Sequence, residues 1–265
     1  MPKPPVCLSI AGLDPSGGAG IIADIKTFSA FGCFAAAAVS SITFQNTVGV
    51  FGAEHQTAET VRRQVEPIIE DYKIAAVKTG MLPTREVIEE TGELIGRMGG
   101  AKFVVDPVVR STSGFDLIDD DALRSLIRVL FPLSDLVTPN RPEAERITGL
   151  RIETMADILA AAEAMRLMGA KNVLIKGGHL NEEDSVGRKA VDHLFIGDEH
   201  HVLEADYVET TATHGTGCTL AAAITANLAL GKSLVDAVRI AKKFVTDAII
   251  SAPMLGHGHS PINIA

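Results

Sequence analysis

The stretch VCLSIAGLDPSGGAGIIADIKTF, residues 6–28, decides the fold. It opens on a short apolar run, Val6–Ile10, and passes through a glycine-rich loop, Ala11–Gly20. It closes on Ile21, Ile22, Ile25 and Phe28, which recur at helical spacing. A short apolar run without alternation reads as a strand buried on both faces. The same unit returns along the chain. Phe34–Thr43, Ala75–Thr79, Phe103–Asp106, Leu136–Thr138 and Asn172–Lys176 are further buried-strand candidates. Helical stripes stand between them: Val61, Val65, Ile68 and Ile69, then Leu123, Leu126, Ile127 and Leu130, then Ile158 to Met168. This alternation predicts an α/β fold with a mostly parallel sheet and helices on both faces. After Lys176 the pattern changes. Ala190–Ile196, a polar turn at Gly197–His201 and Val202–Val208 predict a β-hairpin, and two helical stretches follow, Thr219–Leu230 and Leu234–Ser251. With no Pro/Ser-rich linker and no repeat, residues 1–265 read as one domain.

Composition narrows the function classes. Hydrophobic residues at 46% and charged residues at 22% are globular usage and exclude a disordered chain. A net charge of −9 argues against nucleic-acid binding by bulk electrostatics. No apolar stretch reaches the ~18 residues of a membrane span, and the N-terminal apolar run is too short for a secretory signal. Cys7, Cys33 and Cys218 are odd in number, widely spaced and without CxxC, which argues against a disulfide framework or a zinc site. The expectation is a cytoplasmic protein with no membrane and no nucleic-acid partner.

Several motifs could carry chemistry. Gly18-x-Gly20-x-x-Ala23 fits the dinucleotide fingerprint, yet the second strand ends Thr43-Phe44-Gln45-Asn46-Thr47 without the acid that fingerprint needs. No GxxxxGK[ST] occurs, so a P-loop is excluded. Thr213-His214-Gly215-Thr216-Gly217-Cys218-Thr219 heads an alanine-rich helix. Its amides and the positive end of the helix make an anion site, or else a helix start capped by Thr216 or Thr219. Cys218, in the first turn, is expected either to have a lowered thiol pKa or to be a small buried hydrophobe. Asn140 and Glu143 follow the strand LVTP. They read as ligands for hydrated Mg²⁺ and phosphate oxygens, or as a capping box. Asp106 ends FVVD, and Lys176 ends VLIK before Gly177-Gly178. His257-Gly258-His259 has no Cys or Asp beside it to complete a metal site. The acidic runs Glu182–Asp184 and Asp119–Asp121 read as solvated turns or a helix start.

Six segments occur in order between residue 8 and about residue 250: AGLDPSGGAGIIADIKTF, Gln45–Thr47, VKTGML at Val77–Leu82, VVDPVV at Val104–Val109, TPNRPEAERITG at Thr138–Gly149 and THGTGCTLAAAI at Thr213–Ile224. Together they resemble the hydroxymethylpyrimidine/phosphomethylpyrimidine kinases of the ribokinase-like superfamily. The resemblance implies a three-layer α/β/α sandwich. It implies ATP- and Mg²⁺-dependent phosphorylation of 4-amino-5-hydroxymethyl-2-methylpyrimidine and then of its monophosphate, for thiamine biosynthesis. By the same resemblance Gln45, Asp24, Gly12 and Met81 surround the pyrimidine, while Asn140, Glu143 and Lys176 handle ATP. Glu143 with Asp106 would hold the metal, and Gly215, Thr216 and Gly217 would form an anion hole. Cys218 falls where most ribokinase-like enzymes carry a catalytic Asp. The chain departs from the family at Arg110–Gly114 and at Ser260, where the family usually has Gly. A homodimer is expected. Two alternatives stand beside this reading: a pyridoxal kinase of the same subfamily, and an idle small-molecule binding protein on a kinase fold.

Overall fold

The computed structural model describes residues 3–109, 117–177 and 189–264. The sequence features at Arg110–Gly114, Gly178 and Glu182–Asp184 lie outside these residues. Among these residues nine strands form one sheet: β1 (Val6–Leu13), β2 (Phe34–Gln45), β3 (Val50–His55), β4 (Ile74–Thr79), β5 (Lys102–Val105), β6 (Leu136–Val137), β7 (Asn172–Lys176), β8 (Lys189–Ile196) and β9 (Glu199–Asp206). Their order is β3-β2-β1-β4-β5-β6-β7-β8-β9. The six from β2 to β7 pair in parallel, while β3 at one edge and the β8–β9 hairpin at the other are antiparallel.

Among the described residues eight helices cover the faces: α1 (Gly20–Ala30), α2 (Ala58–Asp71), α3 (Arg85–Gly96), α4 (Asp120–Leu130), α5 (Arg141–Thr148), α6 (Met155–Leu167), α7 (Thr216–Ala229) and α8 (Leu234–Ile250). Side chains alternate across a strand, so neighbouring residues of β5 serve different cores. Val105 packs in the cluster holding Val61, Val87, Leu126 and Met165 from α2, α3, α4 and α6. Val104 packs with Leu220 and Ile224 of α7 and Val238 of α8. Such a sheet has two dry faces, which is why its strands read as continuous apolar runs. The expected three layers are present. Among the described residues no helix is long and apolar enough to cross a membrane.

The helix starts divide into two groups. Thr57, Thr84, Asp119, Asn140, Thr154 and Ser233 each accept a hydrogen bond from a first-turn amide of α2, α3, α4, α5, α6 and α8. Helices α1 and α7 instead begin at Ala19 and Gly215, with no side-chain cap. These two also flank one cleft. Three differences from the sequence reading bear on that cleft. Strand β1 runs on to Leu13, α7 begins at Thr216 rather than Thr219, and β3 is an edge strand that the periodicity does not announce.

Candidate active site

A cleft of about 470 Å³ opens across the carboxyl ends of the parallel strands, the edge at which open α/β sheets bind ligands. Four strands deliver residues to it: Gly12 from β1, Thr43 and Gln45 from β2, Lys78 from β4 and Lys176 from β7. Asp106 and Asn140 stand just beyond β5 and β6.

At one end, Gln45 Nε2 donates to Thr43 Oγ1 at 2.6 Å, and Thr43 Oγ1 donates to the Leu13 carbonyl at 2.9 Å. Gln45 is thereby held with its amide on the cleft wall. Gly12 admits Met81, whose sulfur would lie 3.2 Å from a Cβ at that position. Asp24 does not join this group. It is fully buried behind the wall, taking both oxygens to Lys78 Nζ at 2.9 and 3.1 Å and a bond from Ser9 Oγ at 2.6 Å. Contrary to the expectation that Asp24 touches the pyrimidine, Asp24 is buried and off the cleft lining, while its partner Lys78 lines the cleft. Burial works against the Lys78 charge, but Asp24, with Cys218 and Asp106 adding to it, raises the pKa.

In the middle, Lys176 Nζ lies 3.1 Å from Asp106 Oδ1 and 4.0 Å from Glu143 Oε2. Thr138 Oγ1 donates to the same Asp106 oxygen at 3.2 Å. The two readings of Asn140 and Glu143 prove compatible. Asn140 Oδ1 accepts from the Glu143 amide at 2.9 Å, and Glu143 Oε2 accepts from the Asn140 amide at 2.7 Å, a complete capping box. That same carboxyl lines the cleft at 4% exposure. Burial pushes its pKa up to about 7, with Asp106 adding to the effect and Lys176 opposing it. Burial likewise works against the Lys176 charge, but Asp106 and Glu143 hold its pKa up.

The turn before α7 faces Lys176. Gly215 is the N-cap at φ 82°, a left-handed conformation that costs glycine little. Neither threonine caps the helix, contrary to the capping alternative: Thr216 Oγ1 donates to the Thr213 carbonyl at 3.1 Å, and Thr219 Oγ1 is buried without a partner. Gly215 through Cys218 line the cleft, and a Cβ on Gly217 would stand 3.4 Å from Lys176 Nζ. The amides at this helix start thus meet an ammonium across the cleft, a geometry suited to a phosphate group. Cys218 differs from the expectation of a lowered thiol pKa. Burial pushes it up to about 11, although Lys78 and the Gly20 amide pull the other way. The helix terminus does not overcome desolvation.

Sequence reasoning assigned no role to three residues of this region. Lys78 is a charge inside an apolar strand, and that placement was its signal. Asp14 and His214 lie in the two glycine-rich loops and bond to each other at 2.8 Å. The C-terminal histidines also find a place. The His259 amide donates to the Thr47 carbonyl at 2.7 Å, and its Nδ1 lies 2.9 Å from Thr213 Oγ1. The tail therefore laces the turn after Gln45 to the turn before α7.

Comparison with known proteins settles the family. Residues 14–263 match the family described as phosphomethylpyrimidine kinase. The chain belongs to that family. A hydroxymethylpyrimidine/phosphomethylpyrimidine kinase of Bacillus subtilis (strain 168) is 43% identical over 256 residues, covering 97% of this chain and 93% of the relative. Among solved structures, the phosphomethylpyrimidine kinase of Clostridium difficile 630 superposes with a TM-score of 0.80 at 41% identity, over 92% of this chain and 99% of that one. The Staphylococcus aureus pyridoxal kinase in complex with pyridoxal gives a TM-score of 0.90 at 33% identity, over 99% and 94%. A kinase fold of ribokinase type is common to all of them, and the family membership makes this protein a kinase. The two activities share one backbone, so the difference between them lies in side chains.

Proposed function

We propose that the chain transfers phosphate from ATP to 4-amino-5-hydroxymethyl-2-methylpyrimidine and then to its monophosphate, supplying thiamine biosynthesis in the cytoplasm. One observation carries the reading: the uncapped Gly215-Thr216-Gly217 turn opposes Lys176, Asp106 and Glu143 across a single cleft, with Gln45 at its other end. Phosphoryl transfer asks a protein mainly for positioning and charge stabilisation. The turn amides stabilise the transferring group, and Lys176 orients the ATP phosphates with Asn140 and Glu143. Gln45 offers a donor and an acceptor, matching an aminopyrimidine's amino group and ring nitrogen. Gly12 and Met81 shape the floor beneath the ring.

Asp106 and Glu143 fit Mg²⁺. They are two hard carboxylates in a cleft with room for water, and Mg²⁺ keeps several waters and takes few protein ligands. There it would neutralise charge on the phosphates. Cys218 is mostly protonated at neutral pH, and it accepts the substrate proton only from its minor thiolate fraction, which grows as pH rises toward its pKa of about 11. Base assistance is needed late in a dissociative transfer. Cys218→Ala is expected to lose one to a few orders of magnitude in kcat, within the range for a general base. The wild-type pH–rate profile is expected to show no inflection from this thiol between pH 6 and 9, and such an inflection, abolished in Cys218→Ala, would overturn the protonated-thiol reading.

Pyridoxal phosphorylation is the second reading, favoured by the 0.90 superposition on a pyridoxal kinase. ATP consumption with the pyrimidine, its monophosphate and pyridoxal side by side separates the two. Gln45→Ala is expected to lower kcat/KM for the pyrimidine ten- to a hundredfold more than for pyridoxal, because a site built for paired hydrogen bonds rejects ligands that leave them unmade. Equal losses would remove Gln45 as selector, and no turnover of any of the three would return the chain to an idle binding protein. The expected homodimer has an apolar surface to use, since Phe44, Val48 and Phe51 are exposed beside the edge strand β3. Light scattering of Phe51→Asp against the wild type checks it.

A further inference from the structure

The two glycine-rich loops of the cleft come from opposite ends of the chain, yet they interlock. The Asp14 carboxylate gathers five donors. Oδ1 accepts from the Ser16 amide at 2.8 Å and from Ser16 Oγ at 2.7 Å. Oδ2 accepts from the Gly18 amide at 3.2 Å, the Ala19 amide at 2.8 Å and His214 Nε2 at 2.8 Å. Asp14 is 1% exposed and His214 8%. Burial works against the Asp14 charge, but the bonds from His214 and Ser16 outweigh it and hold the carboxyl below its usual range. All the other partners are donors and the carboxylate is ionised, so Nε2 is the nitrogen that carries the proton.

Backbone packing follows the same path. Gly18 has no room for a Cβ, which would stand 2.3 Å from the His214 ring, and a Cβ on Gly215 would stand 1.8 Å from the Gly18 carbonyl oxygen. From the far side, the His214 amide donates to the Ser260 carbonyl at 3.2 Å. His214 is therefore tied by its ring to the start of α1 and by its backbone to the C-terminal tail. The next three residues are the uncapped turn that opposes Lys176.

We infer that His214, held by Asp14, is a positioning residue: it fixes the Gly215–Gly217 amides against the loop that walls the substrate end of the cleft. His214 also lines the cleft, but its Nε2 is committed to Asp14. It acts through the turn that follows it. The inference rests on the phosphotransfer reading, in which those amides meet the transferring group. A misplacement of about 1 Å at such a site costs on the order of 10²-fold in rate, which sets the expected size of the effect.

Three variants separate positioning from packing. In His214→Gln the amide nitrogen reaches about as far as Nε2, so the bond to Asp14 survives; His214→Asn is too short to make it, and His214→Ala lacks it. We expect His214→Asn and His214→Ala to lose about 10²-fold in kcat with KM for the pyrimidine changed less than about threefold. Hydrogen exchange of amides 215–219 should accelerate about tenfold or more in both, with the strands of the sheet unchanged. His214→Gln should recover both readouts to within about fivefold. Wild-type kcat in His214→Asn would overturn the inference. So would exchange that accelerates across the whole sheet, or a kcat loss that His214→Gln leaves in place while restoring exchange, because the ring would then act chemically. Should His214→Ala not fold, the Gln and Asn pair decides alone. Should the wild type not phosphorylate the pyrimidine, the kinase reading fails on that control, and localised exchange in His214→Asn still decides whether the clamp exists.

Discussion

Two lysines end parallel strands of the same sheet and are committed in opposite ways. Lys78, on β4, is fully buried and spends its charge on both oxygens of one equally buried partner, Asp24, which Ser9 also binds. Lys176, on β7, keeps 15% of its side chain exposed and is shared unequally between Asp106 at 3.1 Å and Glu143 at 4.0 Å. The first arrangement is closed and balances itself. The second is open: two carboxylates surround one ammonium, and one of them has its pKa pushed up to about 7. Charge left over at the wall of a cleft is charge available to a ligand. The comparison teaches that a buried lysine beside a site is not thereby part of the chemistry; what decides is whether its partners already satisfy it.

The largest expected effect attacks the closed pair. Lys78→Met leaves the Asp24 carboxylate buried and unpaired, which typically costs about 3–5 kcal/mol, and urea unfolding at pH 7 measures it. Replacing both partners, as Lys78→Met with Asp24→Leu, should recover most of that loss. A double variant no more stable than the single would show that the pair is not self-contained.

Lys176→Met should invert the pattern. Turnover is expected to fall about 10²–10³-fold, the range for removing one electrostatic donor at a transition state. The melting temperature should fall less than in Lys78→Met, because Glu143 is already poised to take a proton and Thr138 still donates to Asp106. A large drop in melting with turnover retained would make Lys176 the structural lysine of the two.

Next in size is a pH effect in the metal-free protein. The folded-state pKa of Glu143, about 7, lies above its ordinary value of 4.5. Between those values the folded state holds a proton that the unfolded chain has released, so stability is full below about pH 4.5 and falls as pH rises through 7. The loss is on the order of a few kcal/mol at most. Glu143→Gln keeps the oxygen that caps α5 and carries no charge, so it should flatten this slope. Urea midpoints at pH 5 and pH 8 compare the two proteins, and equal slopes would contradict the raised pKa.

The smallest effect probes the space in front of Lys176. Gly217→Ala puts a methyl 3.4 Å from Lys176 Nζ, an ordinary contact that leaves folding intact. It should cost roughly tenfold in kcat or less by narrowing the approach of phosphate. Gly217→Val should cost more, again without unfolding, and wild-type turnover in the Val variant would remove the turn from the phosphate path.

The open half of this comparison was legible in the sequence, and the closed half was not. Asp106, Asn140, Glu143 and Lys176 follow apolar strands, and strand ends are where parallel sheets present ligands. The Gly-Thr-Gly turn announces itself by residue type. The strand–helix alternation likewise gave the sheet and its two flanking layers, because both faces are dry and the runs are unbroken. Strand β3 escaped since Val50–His55 is a largely exposed edge with Gly52 inside it and little alternation. The α7 start was placed three residues late because Gly215 caps by conformation rather than by side chain. Lys78 and Asp24 lie 54 positions apart, and only the fold shows that one neutralises the other. The Cys218 expectation failed for a related reason: a helix start can be recognised from sequence, but the depth at which it is buried cannot.

The approach of Gly18 to Gly215 carries one more consequence. A side chain at Gly215 meets the carbonyl oxygen of Gly18, a backbone atom that no substitution removes. A change at Gly215 therefore has no compensating change at Gly18. In a library of functional variants the contact would leave no trace as a correlated pair, and Gly215 would register only as a site that never moves. The tightest junction between the two ends of this chain is thus hidden from any method that looks for residues changing together.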